Sequence, residues 1–126
     1  MNGLLNRQDA SLLVIDVQDR INAVMTDQSH LSRIEVLVEA CRELEVPVLA
    51  SEQYPQGLGP TVDSLAAILG DTPPGKLTFS CVRDDDLKRA IEDSDRKQII
   101  VTGIETHVCV LQTALDLTDL GFEVFV

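Results

Sequence analysis

The sequence has 126 residues, 44% of them hydrophobic, which predicts one domain with a single core. Ten basic against 21 acidic residues give a net charge of −11, which argues against nucleic acid or an anionic membrane surface as a partner. No apolar run is long enough to span a membrane. Three cysteines without a framework spacing indicate a reducing compartment, so we expect a cytoplasmic protein.

Apolar runs typical of buried strands alternate along the chain with segments of helical period. The predicted strands cover residues 10–17, 46–50, 75–80, 98–102 and 122–126, and the predicted helices cover residues 31–44, 62–69, 84–91 and 106–120. Residues 51–60 are rich in turn formers and predict a long loop.

This alternation predicts an α/β fold, a doubly wound parallel sheet with right-handed crossovers, in a single domain over residues 1–126. Ligands of such sheets bind beyond the carboxyl ends of the strands, where the strand order reverses. Asp16 and Cys109 both follow predicted strands. The chain ends at Val126 inside an apolar strand pattern, so we expect that a C-terminal strand and its helices are missing.

Cys109 lies in the first turn of a predicted helix, shortly after Gly103 ends a strand. Free N–H groups and the positive end of the helix dipole favour a thiolate there, which makes Cys109 a candidate nucleophile. Asp16 and Lys76 occupy comparable positions, and an Asp can accept the thiol proton while a Lys orients both charges. Taken singly, each has a plainer interpretation: a small core residue, a turn former and a solvent-exposed cation.

Three segments resemble the signature blocks of the isochorismatase-like cysteine hydrolases. They are Leu13–Asp19 (LVIDVQD), Gly75–Ser80 (GKLTFS) and Val101–Val110 (VTGIETHVCV). The segment Ser51–Thr61 (SEQYPQGLGPT) is similar to the isochorismatase-domain-containing branch of that family. The resemblance implies a Rossmann-like parallel sheet of six strands, of which this chain would hold about five.

The resemblance also implies a function, the hydrolysis of an amide or related C–N bond of a small molecule through a thioester. Asp16 would be the general base, Lys76 the charge-orienting partner and Cys109 the nucleophile. A cis peptide bond between Ile104 and Glu105 is implied as well. The backbone N–H groups of Glu105 and Cys109 would then form the oxyanion hole.

Four residues near the predicted strand ends are candidate substrate contacts: Gln18, Gln53, Tyr54 and Ile104. Packing against a loop is the alternative for the two glutamines and the tyrosine. Nicotinamidase-type members carry an Asp-x-His metal motif after the second strand, where this chain has SEQY, so no metal and no other cofactor is expected. The resemblance further implies a homo-oligomer.

Two other functions fit the same pattern. The first is a catalytically silent binding or scaffold protein of the same fold. The second is a receiver-like signalling domain, which the length, the acidity and Asp16 favour. A receiver needs a phospho-accepting Asp after its third strand, where this chain has Lys76. Cys41 and Cys81 are expected to pack in the core.

Overall fold

The computed structural model describes residues 3–126 and contains a five-stranded parallel sheet with helices on both faces. The strands are β1 (Ala10–Ile15), β2 (Val48–Gln53), β3 (Gly75–Lys76), β4 (Gln98–Gly103) and β5 (Glu123–Phe125). The helices are α1 (Asp19–Asn22), α2 (Ser29–Glu43), α3 (Pro55–Leu58), α4 (Asp63–Leu69), α5 (Asp85–Asp93) and α6 (Leu111–Asp119), with a 3₁₀ turn at Cys81–Arg83 and a π-helical turn at Thr106–Val110. Within residues 3–126, none of these helices combines the length and the apolar character that a membrane crossing requires.

The strand order is β3-β2-β1-β4-β5, and all neighbouring strands are parallel. The chain runs outward from β1 to one edge of the sheet and then returns to place β4 on the other side of β1. The order therefore reverses between β1 and β4, which is where doubly wound sheets bind ligands. The predicted fold class is confirmed. A receiver-like domain has the order β2-β1-β3-β4-β5, so that alternative is wrong for this chain.

The central strand β1 separates two hydrophobic cores because successive side chains of a strand point to opposite faces. Leu12 and Val14 belong to the core completed by α2 and α4, whereas Leu13 and Ile15 belong to the core completed by α5 and α6. All six residues of β1 are buried. Burial on both faces fixes the carboxyl end of this strand, which is where the first candidate site residue follows.

The second strand is longer than predicted, so the loop expected over residues 51–60 is wrong in its first part. Glu52 and Gln53 pair in register with the short strand β3, which extends β2 past the point where turn formers begin. Pro55 then occupies the first position of α3, where its fixed φ suits a helix start. This pairing brings the end of β2 beside the end of β3.

The exit of β4 passes very close to the end of β1. Gly103 has φ +131°, and a Cβ atom added there would lie 2.1 Å from the carbonyl oxygen of Ile15. The N–H of Ile104 donates to the same oxygen at 3.0 Å. The next peptide bond, between Ile104 and Glu105, is cis, as the family resemblance implies. Only glycine fits this crossing, which delivers the following turn to the switch point.

Candidate active site

Asp16 follows β1 and is fully buried at the switch point. Its backbone has φ +56°, in the left-handed region that Asp tolerates better than most residues. Its Oδ1 accepts a hydrogen bond from Ser51 Oγ at 2.8 Å, and its Oδ2 accepts one from Lys76 Nζ at 3.0 Å. Donors from β2 and β3 therefore hold both oxygens of this carboxylate away from solvent.

Lys76 places its ammonium group in a cage of oxygen atoms, and its side chain is 0% exposed. The acceptors are Asp16 Oδ2 at 3.0 Å, Gln53 Oε1 at 2.6 Å, Thr78 O at 3.0 Å and Phe79 O at 2.9 Å. Lys76 Nζ also lies 3.5 Å from Cys109 Sγ. A buried cation needs such compensation to remain charged. The predicted solvent-exposed alternative for this lysine is wrong.

Cys109 reaches the site from the π-helical turn after β4 and is 6% exposed. Burial raises the pKa of its thiol, and hydrogen bonding to Asp16 and the charge of that carboxylate raise it further, to about 12. Lys76 acts in the opposite direction. The expectation that the helix start favours a thiolate is therefore wrong for the resting site. The sulfur is a thiol at neutral pH and needs a base to become a nucleophile.

The helix that carries Cys109 begins in a π-helical geometry rather than as the regular helix predicted. Val110 N–H donates to Glu105 O at 3.3 Å, five residues back, and regular α-helix starts only at Leu111. The N–H of Cys109 lies one residue before the donor of this π-type bond. Across residues 3–126, no acceptor pairs with the N–H of Glu105. The role of these two N–H groups as an oxyanion hole stays a prediction; π turns of this kind are frequent at functional sites.

The two candidate glutamines lie in different environments. Gln53 turns its side-chain oxygen toward Lys76 Nζ and lies 3.9 Å from Cys109 Sγ, so it belongs to the site. Gln18 is fully buried, and its Nε2 donates to Gln53 O at 2.9 Å and to Gly59 O at 2.8 Å. Its Oε1 accepts from Gln53 N at 2.7 Å. These contacts make Gln18 a buried clamp that holds the end of β2, which favours the loop-packing alternative, and its contact with substrate stays a prediction.

The other two candidate substrate contacts, Tyr54 and Ile104, also lie in different environments. Tyr54 is 50% exposed, and its ring lies over Gly57, where any Cβ would approach the ring to 2.3 Å. It stays a candidate for the rim of the site. Ile104 is 7% exposed and packs in the core beneath α2 and α4. Its contact with substrate stays a prediction.

Ser51 is a site residue that the sequence pattern does not single out. It lies in a stretch predicted as loop, and a serine among turn formers carries no distinguishing signal. Only the extension of β2 places it beside Asp16. Cys81, which was expected in the core, is fully buried there, with its Sγ 3.5 Å from Ser51 Oγ.

A cleft of about 800 Å³ lies next to this cluster but does not open onto it. Its walls come from Pro55, Gln56, Gly75–Thr78 and Arg83–Asp86. It touches Lys76 but neither Asp16 nor Cys109, so we do not assign it as the reaction site. In the described part of the chain, no three His, Cys, Asp or Glu side chains are grouped so that they could hold a metal ion.

The chain matches the model of the Isochorismatase domain over residues 10–126. It is 35% identical over 125 residues to isochorismatase domain-containing protein 2 of Danio rerio, an alignment that covers 98% of this chain and 63% of that protein.

Two solved structures resemble it closely. The MAR1 ribonuclease from Caenorhabditis elegans has a TM-score of 0.84 at 32% identity, covering 95% of this chain and 62% of that chain. The YcaC gene product from Escherichia coli, an octameric hydrolase of unknown specificity, has a TM-score of 0.88 at 25% identity, covering 95% and 62%. The chain thus spans less than two thirds of the length of each of these three proteins.

Proposed function

We propose that this chain, which belongs to the isochorismatase domain family, is a cysteine hydrolase. Its reaction is the cleavage of an amide or related C–N bond of a small molecule through a thioester. One observation carries the proposal. The Nζ of Lys76 lies 3.0 Å from Asp16 Oδ2 and 3.5 Å from Cys109 Sγ, and all three residues are buried. A base, a cation and a thiol in mutual contact are the groups that nucleophilic cysteine catalysis requires.

Acylation begins when Asp16 takes the proton of the Cys109 thiol and the sulfur attacks the carbonyl carbon of the substrate. The N–H groups of Glu105 and Cys109 receive the negative oxygen of the tetrahedral intermediate. Protonated Asp16 then gives its proton to the leaving nitrogen, which departs as ammonia or an amine. The acyl group remains on the sulfur as a thioester.

Deacylation reverses these roles with water as the nucleophile. Asp16 takes a proton from water while the oxygen attacks the thioester carbon, and the same N–H groups receive the second oxyanion. Collapse of this intermediate breaks the C–S bond, returns the proton to Cys109 and releases a carboxylic acid. Asp16 thus works as both base and acid within one turnover.

The charge of Lys76 makes this proton transfer feasible in a buried site. A thiol with a pKa of about 12 would cost roughly 7 kcal/mol to ionise into solvent at neutral pH. Transfer to Asp16 instead keeps the net charge of the cluster unchanged. The ammonium of Lys76 exchanges a carboxylate partner for a thiolate partner without leaving its oxygen cage.

The raised thiol pKa also favours a second candidate, a catalytically silent binding protein of the same fold. In that case Cys109 would remain a protonated core thiol, and the buried charges would serve only the fold. Turnover, or its absence, separates the two candidates.

RNA is a further candidate substrate because one similar structure is that of a ribonuclease. The net charge of −11 opposes the binding of a polyanion, so we favour a small-molecule substrate. The substrate screen below therefore includes RNA as one arm.

We also propose that the protein forms a homo-oligomer. Support comes from the octameric hydrolase among the similar structures and from exposed apolar side chains near the site. Leu77 is 79% exposed, Phe79 52% and Leu115 58%. Exposed apolar groups of this size are typical of interaction surfaces. Light scattering after size-exclusion chromatography measures the assembly, and a monomer at micromolar concentration would contradict it.

A substrate screen tests the proposed chemistry. Small amides, carbamoyl compounds and an RNA are incubated with the wild-type protein, Cys109→Ala and the control Cys41→Ala, and the release of ammonia, amine or nucleotides is measured. We expect amide or carbamoyl turnover that Cys109→Ala abolishes and Cys41→Ala retains. Turnover that survives in Cys109→Ala would refute the nucleophile, and none from any compound would support the silent protein.

A further inference from the structure

The hydroxyl group of Ser51 links the proposed base to a second buried thiol. Ser51 is 1% exposed and lies on β2, beside the carboxyl end of β1. Its Oγ donates to Asp16 Oδ1 at 2.8 Å. From the opposite direction, Cys81 Sγ lies 3.5 Å from Ser51 Oγ and can donate to it. The three groups form a continuous series of hydrogen bonds.

The chemistry of the three groups determines which of them donates in each hydrogen bond. An ionised carboxylate can only accept hydrogen bonds, and a serine hydroxyl has a single proton to donate. A proton from Cys81 on Ser51 Oγ therefore leaves the serine proton directed at Asp16. Burial raises the pKa of Cys81, so its thiol keeps the proton that this arrangement needs.

We propose that Ser51 is a positioning residue for the base: it occupies one oxygen of Asp16 and so keeps the other turned toward Lys76 and Cys109, while Cys81 fixes the direction of the Ser51 hydroxyl. The inference rests on the proposed function, since it assigns a role around the same base. Nothing in the family resemblance assigns a role to Ser51 or Cys81.

The geometry separates this role from substrate contact. Ser51 and Cys81 are both buried; Ser51 Oγ contacts Oδ1 of Asp16, whereas Lys76 Nζ contacts Oδ2. The ionisable groups that face Asp16 are Lys76, Cys109 and, through Ser51, Cys81. A change at Ser51 should therefore alter the aim of the base without altering substrate affinity.

Ser51→Ala removes the hydrogen bond to Asp16 Oδ1 and frees the carboxylate to turn away from Cys109. With a substrate identified by the screen, kcat should fall about tenfold while KM stays within about twofold, since a misdirected base weakens the chemical step and not binding.

The experiment measures the rate of Cys109 alkylation by iodoacetamide near pH 8, read by peptide mass spectrometry, because this readout needs no substrate. The variants are Ser51→Ala, Ser51→Thr, Cys81→Ala and the control Ser11→Ala. Ser11 is also a fully buried serine on the sheet, but its hydroxyl has no partner among residues 3–126. Urea unfolding establishes that each variant is folded.

We expect Cys109 to react about tenfold more slowly in Ser51→Ala, and more slowly by a smaller factor in Cys81→Ala, because a misdirected base assists the attack of the sulfur less well. Ser51→Thr, which keeps the hydroxyl, and Ser11→Ala should retain the wild-type rate. A folded Ser51→Ala that reacts at the wild-type rate would overturn the proposal. If Ser51→Ala does not fold, a wild-type rate in Cys81→Ala would overturn it.

Asp16→Asn separates this proposal from the function on which it rests. If Asp16 is the base, turnover of a substrate identified by the screen is lost in Asp16→Asn. Turnover that persists in that variant would remove the base itself and with it the proposed mechanism. Turnover that depends on Asp16 but not on Ser51 would remove only the role of Ser51.

Discussion

Replacing Lys76 by methionine removes the cation of the site while keeping a side chain of similar length. Lys76 Nζ lies 3.5 Å from Cys109 Sγ, and the attraction between unit charges at that distance is about 5 kcal/mol at an effective dielectric constant of about 20. Its loss should raise the pKa of the Cys109 thiol further and so lower the population of the thiolate.

The alkylation rate follows from this shift. A thiolate of higher pKa is intrinsically more nucleophilic, with a Brønsted coefficient of about 0.4–0.5, so roughly half of the loss in thiolate population is recovered. We therefore expect Cys109 in Lys76→Met to react with iodoacetamide about 10- to 50-fold more slowly than in the wild type near pH 8. Cys41, quantified in the same digest, serves as the internal reference.

Lys88→Met is the matched control, because Lys88 is a partly exposed lysine 3.9 Å from Glu92 on α5. It should leave the reactivity of Cys109 unchanged. The free energy of unfolding gives a second readout: Lys76→Met leaves an unpaired buried carboxylate and should cost about 3–5 kcal/mol. A folded Lys76→Met whose Cys109 reacts at the wild-type rate would refute the assigned role of the cation.

Three further predictions concern the surroundings of the site. Gly103→Ala forces a Cβ to within 2.1 Å of a β1 carbonyl oxygen and should cost more than about 4 kcal/mol of unfolding free energy or abolish folding. Gly121→Ala, at φ +92° with open space around it, should cost only about 1 kcal/mol. Equal losses in urea unfolding would contradict the close crossing. Because its pKa is raised, the Cys109 thiol ionises above about pH 9 in the unfolded chain but keeps its proton until about pH 12 in the folded chain. The stability of the wild type should therefore fall between these two pH values more steeply than that of Cys109→Ser. Parallel stability curves for the two proteins would contradict this. Gln18→Leu removes the side-chain partners of the Gln53 backbone and should lower the free energy of unfolding by about 2–4 kcal/mol. Amide hydrogen exchange at Gln53 should become faster. Unchanged exchange there would contradict the role of Gln18 as a clamp.

The parts of the site that the sequence predicts are those that depend on one strand at a time. An apolar run that ends at Asp16 places a carboxylate at the carboxyl end of a buried strand, and the same logic places Cys109 after β4. Parallel strands bring these ends to one edge, so the meeting of Asp16 and Cys109 near the switch point follows from the pattern. The resemblance to a family then assigns roles that spacing alone leaves open.

The parts that were not predictable depend on contacts between distant segments. Pairing with β1 extends β2 to Ser51, which lies opposite Ile15, and turns a predicted loop residue into a partner of the base. The protonation of Cys109 depends on its burial beside Asp16, which no local pattern encodes. Gln18 and Ile104 stand in positions suitable for substrate contact, and only the folding of the following loop and helix turns one into a clamp and the other into a core residue.

Trapping the covalent intermediate tests the central claim most directly. A substrate found in the screen is mixed with the protein, the reaction is quenched in acid within one turnover, and the intact mass and the peptide map are measured. The account predicts an added mass equal to the acyl group, carried by the peptide with Cys109, removable by hydroxylamine and absent in Cys109→Ser. Turnover without any adduct at Cys109, together with full activity of Cys109→Ser, would contradict it.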